Sequence, residues 1–220
     1  MSADKLVTEA AGHLGSDESG KGDYFGPLVI AAFFCPEGQE PVLAELGVRD
    51  SKALSDKRVL ALDSALQAGY VHSVVAVGPE KYNELYDKFR NLNKLLAWGH
   101  ARAIENILER MDVRRAVTDQ FGDERFIRQA LMTRGRTIEL EQRPRGEADP
   151  AVAAASILAR AEFLRRLAAL SREWGMELHK GAGPPVEAAA AAFVSRHGAE
   201  ALSRVAKLHF KTTARVLAGL

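Results

Sequence analysis

Short β-branched or aromatic runs alternate along the chain with longer stretches whose apolar residues recur at helical spacing. PLVIAAFF (27–34) and VHSVVAVG (71–78) have the length and side-chain type of strands. RRAVTDQF (114–121) reads as a strand that ends in Asp119, and RTIELEQR (136–143) alternates as a half-buried strand does. A further short strand is expected near 12–18, joined to the run at 27 by a glycine turn. PEKYNELYDKF (79–89) opens with a proline suited to a first helical turn. Helical spacing continues over 92–110, 124–132 and about 149–171, and the alanine-rich remainder from about 183 is helical as well. Three early strands, then two more separated by helices, predict an α/β fold with a mixed five-stranded sheet flanked by helices. Residues 1–220 are read as one domain, with a helical C-terminal portion over about 183–220.

Composition narrows the class. The formal net charge is +1, so whole-chain charge does not point to a polyanionic partner. Cys35 is the single cysteine and forms no internal disulfide, which points to a reducing compartment. No apolar run is long enough to span a membrane, and the N-terminus lacks the apolar core of a signal peptide. The expectation is a soluble cytoplasmic protein that meets no membrane and shows no sign of an obligate protein partner.

The stretch GSDESGKG (15–22) contains the G-x-x-x-x-G-K spacing of a phosphate-binding loop. Gly22 stands where that loop needs Ser or Thr to ligate Mg²⁺, and Gly26-Pro27 would break the helix the loop must open. Asp17 and Glu18 would also repel phosphate unless a cation lay between them. The stretch therefore suits a device in which the carboxylates hold the cation.

Other acids sit at comparable places. Asp119 closes the fourth strand, and Glu147 and Asp149 lie just before the long helix. If the first and fourth strands are neighbours, Asp17 and Asp119 meet at one edge of the sheet. Carboxylate oxygens suit Mg²⁺ or Mn²⁺, and four acids around two such ions make a site for in-line phosphoryl displacement. Adjacent residues of a strand point to opposite faces, so the strand is expected to end or bulge at Asp17-Glu18. Acids at strand ends also serve as helix caps or solvated surface groups, and Asp149 before Pro150 has the makings of an N-cap. Spacing alone leaves both readings open.

Six segments give the chain a resemblance to a known family: GSDESGKGDYFGPL (15–28), DSKALSDKR (50–58), KYNELYDKFRNLNKLLAWGHARAIEN (81–106), TDQF (118–121), AVAAASILAR (151–160) and VAKLHFKTT (205–213). They resemble the type 2 ribonucleases H, and within them ribonuclease HIII. GKGDYFGP, where the HII branch has a shorter G-R-G-P form, and VAKLHFKTT both favour HIII. The resemblance implies a ribonuclease H-like fold and Mg²⁺- or Mn²⁺-dependent endonucleolytic cleavage of the RNA strand of RNA–DNA hybrids, leaving 5′-phosphate and 3′-hydroxyl. It implies a catalytic, metal-binding set of Asp17, Glu18, Asp119 and Glu147, with Asp149 as the fallback, since PRGE (144–147) sits one residue nearer the helix than the family pattern has it. Family members also carry a small N-terminal substrate-binding domain; only 14 residues precede Gly15, so the chain looks like the catalytic part alone.

Substrate contacts are expected from Gly20 and Gly22, where absent side chains let the backbone approach and where the resemblance to the HII branch implies contact with the 2′-hydroxyl, and from Lys21, Lys52 and Lys94 at phosphates. Arg204, Lys207, Lys211 and Arg215 are spaced to line one face of a helix, with Lys207 and Lys211 as backbone-binding candidates. His100 reads as a structural or surface residue, Ser156 as a small packing residue, and Trp98 and Trp174 as packing residues. The alternatives are incision at single ribonucleotides in duplex DNA, as in the HII branch, a nucleic-acid-binding module with a dead site, and a nucleotide-binding protein.

Overall fold

The computed structural model describes residues 10–219. Five strands form one sheet: β1 (Gly12–Ser19), β2 (Leu28–Pro36), β3 (His72–Val77), β4 (Arg115–Asp119) and β5 (Glu139–Arg143), in the order β3-β2-β1-β4-β5. β1, β2 and β3 form an antiparallel meander, whereas β4 lies parallel to β1 and β5 parallel to β4. The mixed five-stranded sheet is the one the sequence predicts.

The helices are α1 (Glu40–Leu46), α2 (Asp56–Gly69), α3 (Pro79–Phe89), α4 (Leu92–Leu108), α5 (Glu124–Ala130), α6 (Pro150–Glu173), α7 (Pro184–His197) and α8 (Lys211–Ala218). The first two fall in a region the periodicity reading leaves unassigned. Val59, Leu62 and Leu66 of α2 are nevertheless buried at helical spacing, and Ser55 caps the helix by accepting from Arg58 N–H.

Alternation along β2 divides the core. Val29, Ala31, Phe33 and Cys35 face a cluster built with α6, while Leu28, Ile30, Ala32 and Phe34 face one built with α4. All eight side chains are buried, as a strand covered on both faces requires. Trp174 packs in the first cluster, tilted against Phe193, and Trp98 packs against the second. The N-terminal half of α6 packs Ala151, Ala154 and Ala155 into the cluster it shares with β2, and small side chains let it come close. The approach is closest at Gly15, where an added Cβ would lie 2.1 Å from the Ala151 carbonyl carbon. A helix pressed this near β1 fixes the strand that carries the first two acids.

β5 begins three residues later than the alternation predicts. The buried Glu105 carboxylate accepts from Arg134 N–H and Gly135 N–H, both at 2.8 Å, and diverts the chain into a 3-10 turn over Gly135–Thr137. Among the described residues, no helix is long and apolar enough to cross a membrane.

Candidate active site

The first correction concerns β1. The strand neither ends nor bulges at the acids: Asp17 pairs with Ala31, Glu18 with Ile30 and Ser19 with Val29 in unbroken register. On the other side the parallel ladder stops at Ser16–Thr118, because β4 ends at Asp119. Beyond that last pair the β4 side of β1 is open. Asp17 and Glu18 reach the same cleft from opposite faces by way of this open edge, and Asp119 joins them there.

The cleft has a volume of about 610 Å³ and is lined by Asp17, Glu18 and Asp119 together with Lys21, Lys52, Arg160 and Lys180. Enclosure of its carboxyl, followed by the like charges of Glu18 and Asp119, pushes Asp17 well above the ordinary carboxylate range. Glu18 goes the other way. Burial works against its charge, but the hydrogen bond and charge of His100, and then Lys21, outweigh it and hold Glu18 at about 2. His100 is fully buried on α4, with Nε2 3.1 Å from Glu18 Oε2 and Nδ1 2.9 Å from Ser16 Oγ. Its ring stacks on Phe121 at 4.7 Å, just past Asp119. His100 is thus structural, as the sequence reading has it, but the structure it supports is the acidic cluster itself.

Lys21 Nζ donates to Glu18 Oε1 at 3.2 Å, and the loop that carries it depends on Gly20. That glycine has φ +89, and an added Cβ would lie 2.2 Å from the Pro27 carbonyl oxygen. Gly22 has open space around it instead, so there the backbone is accessible to a ligand. Lys52 sits on a 3-10 turn over Ser51–Ala53, held by Ser156, whose Oγ accepts from Ser51 N–H at 3.3 Å. Ser156 therefore does more than pack.

Residues 14–213 match the family model described as ribonuclease HII. The chain belongs to the type 2 ribonuclease H family. It is 44% identical over 205 residues to the ribonuclease HIII of Protochlamydia amoebophila, covering 93% of this chain and 68% of that one. With the ribonuclease HIII of Chlamydia pneumoniae it shares 43% identity over 210 residues, 94% of this chain and 70% of that one. The structure of Bst-RNase HIII in complex with Mn²⁺ superimposes with a TM-score of 0.88 at 33% identity, over 97% of this chain and 71% of that one. The chain is accordingly a ribonuclease H, a hydrolase of the HIII type.

Within this ribonuclease H the two candidates for the fourth acid part company. Asp149 caps α6 by accepting from Ala151 N–H at 2.9 Å and also binds His13 Nε2 at 2.9 Å. His13 lies four residues before Asp17 on β1, about 13 Å down the strand, so Asp149 is committed away from the cleft. Glu147 lies on a 3-10 turn over Gly146–Ala148, entered through Arg145 with a left-handed φ of 56. That turn presses Gly146 against Asp119, and Gly146 N–H donates to Asp119 Oδ1 at 2.9 Å. Glu147 is thereby next to a residue that touches Asp119, although its side chain does not line the cleft.

The basic stripe is the second correction. Arg204 lies on a separate 3-10 turn and Lys211 is the first residue of α8, so no single helix carries the four cations. Lys207 is fully buried, and its Nζ donates to the Asp23 carbonyl at 2.8 Å and to the Gly26 carbonyl at 2.7 Å. It has no surface to offer a phosphate. Lys211 and Lys94 are exposed, but neither lines the cleft.

Arg160 and Lys180 do line it and go unnoticed in the sequence reading. Both bind Asp56, Arg160 through Nη2 at 2.6 Å and Lys180 through Nζ at 2.6 Å. Arg160 closes the AVAAASILAR segment and Lys180 lies in the LHKGAG loop, so a signal for each was present.

The donor set fits a divalent cation by chemistry. Asp17, Glu18 and Asp119 supply only oxygen ligands, the preference of Mg²⁺ and Mn²⁺, and their crowding leaves Asp17 hard to ionise without a cation beside it. Among the described residues, no three His, Cys, Asp or Glu side chains already stand as a complete ligand set. The fit rests on donor type and charge crowding.

Proposed function

We propose that the enzyme cuts the RNA strand of RNA–DNA hybrids endonucleolytically, leaving 5′-phosphate and 3′-hydroxyl ends, with Mg²⁺ or Mn²⁺ held by Asp17, Glu18, Asp119 and Glu147. The observation that carries this reading is the convergence of Asp17, Glu18 and Asp119 on one cleft whose walls are cationic. An acidic floor for metal between basic walls for phosphate is what hydrolysis of a nucleic-acid backbone requires. A pair of divalent ions, when bound, supplies activation of the attacking water and stabilisation of the leaving 3′ oxygen.

The chain's own residues do the rest. His100 keeps Glu18 ionised and fixed in direction. Gly146 N–H fixes one oxygen of Asp119. Lys21, Lys52, Arg160 and Lys180 neutralise backbone phosphates along the cleft, and the open backbone at Gly22 approaches the sugar edge, where the 2′-hydroxyl tells RNA from DNA. The Mn²⁺ complex of Bst-RNase HIII and the ribonuclease HIII relatives support the same reading. Incision beside a single ribonucleotide embedded in DNA is the second reading, favoured by the match to the ribonuclease HII family model.

Two labelled duplexes separate these outcomes. With Mg²⁺ or Mn²⁺ the enzyme is expected to cut an uninterrupted hybrid at several positions and to spare DNA containing one ribonucleotide. Efficient incision at the lone ribonucleotide would assign the second reading, and cutting of either duplex in EDTA would remove the metal.

A further inference from the structure

Lys207 holds a position that phosphate binding does not explain. Its side chain is fully buried, and among the described residues no carboxylate pairs with it. The nearest loop acid, Asp23, spends its carboxylate on Gly181 N–H at 2.6 Å. The ammonium instead meets two backbone carbonyls, Asp23 and Gly26, and stands over the Tyr82 ring at 5.6 Å. A buried cation with no carboxylate in contact is costly, and here burial, only partly offset by the Asp23 charge, pulls Lys207 down to about 7.

The surrounding backbone shows what the cation is attached to. Lys207 N–H donates to the Tyr24 carbonyl at 2.9 Å, Gly26 N–H donates to the Val205 carbonyl at 2.9 Å, and Phe25 bridges Ala206. Residues 205–207 therefore form a short splint along residues 23–26. Just upstream of that splinted stretch are Gly20, Lys21 and Gly22, at the wall of the acidic cleft. The amine closes the splint by gripping both of its ends at once, from a segment more than 180 residues away in the chain.

We infer that Lys207 is a positioning residue for substrate binding: its amine locks residues 23–26, and so sets where Lys21 and Gly22 meet the hybrid. This rests on the proposed function of the cleft. The C-terminal segment acts on the reaction through the loop, with no group of its own on the substrate.

The test compares Lys207→Met, which keeps the length of the side chain and removes the donor, with Val216→Ala, a buried change on α8 that leaves the splint intact. Lys207→Met is expected to raise KM for a hybrid about tenfold with kcat within about twofold, the pattern of lost binding geometry. It should also speed amide hydrogen exchange over residues 20–26 in the metal-free enzyme, and Val216→Ala should do neither. Unchanged exchange in the loop, or an equal rise of KM in Val216→Ala, would overturn the inference. If Lys207→Met does not fold, Lys207→Gln, which retains an N–H donor on a shorter stem, takes its place with the same expected direction. If the wild-type enzyme cuts no hybrid, the functional reading fails and loop exchange alone decides the role of Lys207.

Discussion

His100 Nε2 lies 3.1 Å from Glu18 Oε2, joining a fully buried imidazole on α4 to a carboxylate at the open edge of β1. The same ring reaches Ser16 Oγ, two residues back on the same face of the strand, so it braces β1 where its ladder to β4 ends. Removing a group that orients a metal-binding carboxylate typically costs about 10–100-fold in metal affinity or activity. His100→Ala should therefore lower kcat on a hybrid, and weaken Mn²⁺ binding in calorimetry, by about that factor. Normal Mn²⁺ affinity and turnover would reduce His100 to packing.

The two acids before α6 should separate cleanly. Glu147→Gln is expected to depress cleavage strongly with little change in melting temperature. Asp149→Asn should keep its activity and lose stability, because it weakens the tie to His13 at 2.9 Å. Replacing both the cap and that tie, in Asp149→Ala, should cost about 1–2 kcal/mol. Melting curves and initial rates on the same variants check both halves, and an inactive, fully stable Asp149→Asn would exchange the roles.

Cleft cations should differ from exposed ones in salt dependence. Lys52→Ala and Lys180→Ala are each expected to flatten the slope of log Kd against log salt for a hybrid by about one. Lys94→Ala should leave the slope unchanged, since Lys94 is outside the cleft. Binding isotherms at several salt concentrations, in Ca²⁺ or EDTA to prevent cutting, read this directly. A slope lost with Lys94 would place the nucleic acid along the start of α4.

Lys207 predicts a pH dependence of stability. In the folded protein it is held at about 7, against an ordinary lysine value of 10.5. Between those values the unfolded chain binds a proton that the folded one has released, so this group adds stability as pH rises from about 7 to 10.5. The neutral amine still has two N–H donors for its two carbonyls. Wild type minus Lys207→Met, by urea unfolding, should therefore grow over that range, and a difference that is flat or falls with pH would contradict the burial seen here.

How legible each part was follows from the range of the interaction behind it. Asp17, Glu18 and Asp119 could be read because acids at strand ends occur inside segments that resemble a family, and parallel pairing of β1 with β4 needs only the expected topology. The continuous strand through Asp17 and Glu18 was hidden, since the open edge exists only because β4 stops at Asp119. His100 acts across the chain, and a lone helical histidine carries no local mark of the carboxylate it meets. Lys207 misled for the opposite reason: a spacing of 3, 4 and 4 among Arg204, Lys207, Lys211 and Arg215 mimics a helical stripe, whereas an irregular segment at residues 205–210 buries the second of them. α2 was readable from Ser55 and the spacing of Val59, Leu62 and Leu66.

The central claim is that the acids gathered at the β1–β4 edge carry out metal-dependent cleavage of hybrids. Cleavage of a labelled RNA–DNA hybrid by wild type, Asp17→Asn and Asp119→Asn, with Mn²⁺, Mg²⁺ or EDTA, tests it most directly. Wild type should cut with either metal and not in EDTA, and both variants should lose about 1,000-fold or more in rate, the scale of removing a central electrostatic stabiliser. Both should melt in EDTA at or above the wild-type temperature, because each removes a carboxylate from a cleft where burial, and then like charge, already raise Asp17. Near-normal cutting by either folded variant would contradict the assignment of this cleft.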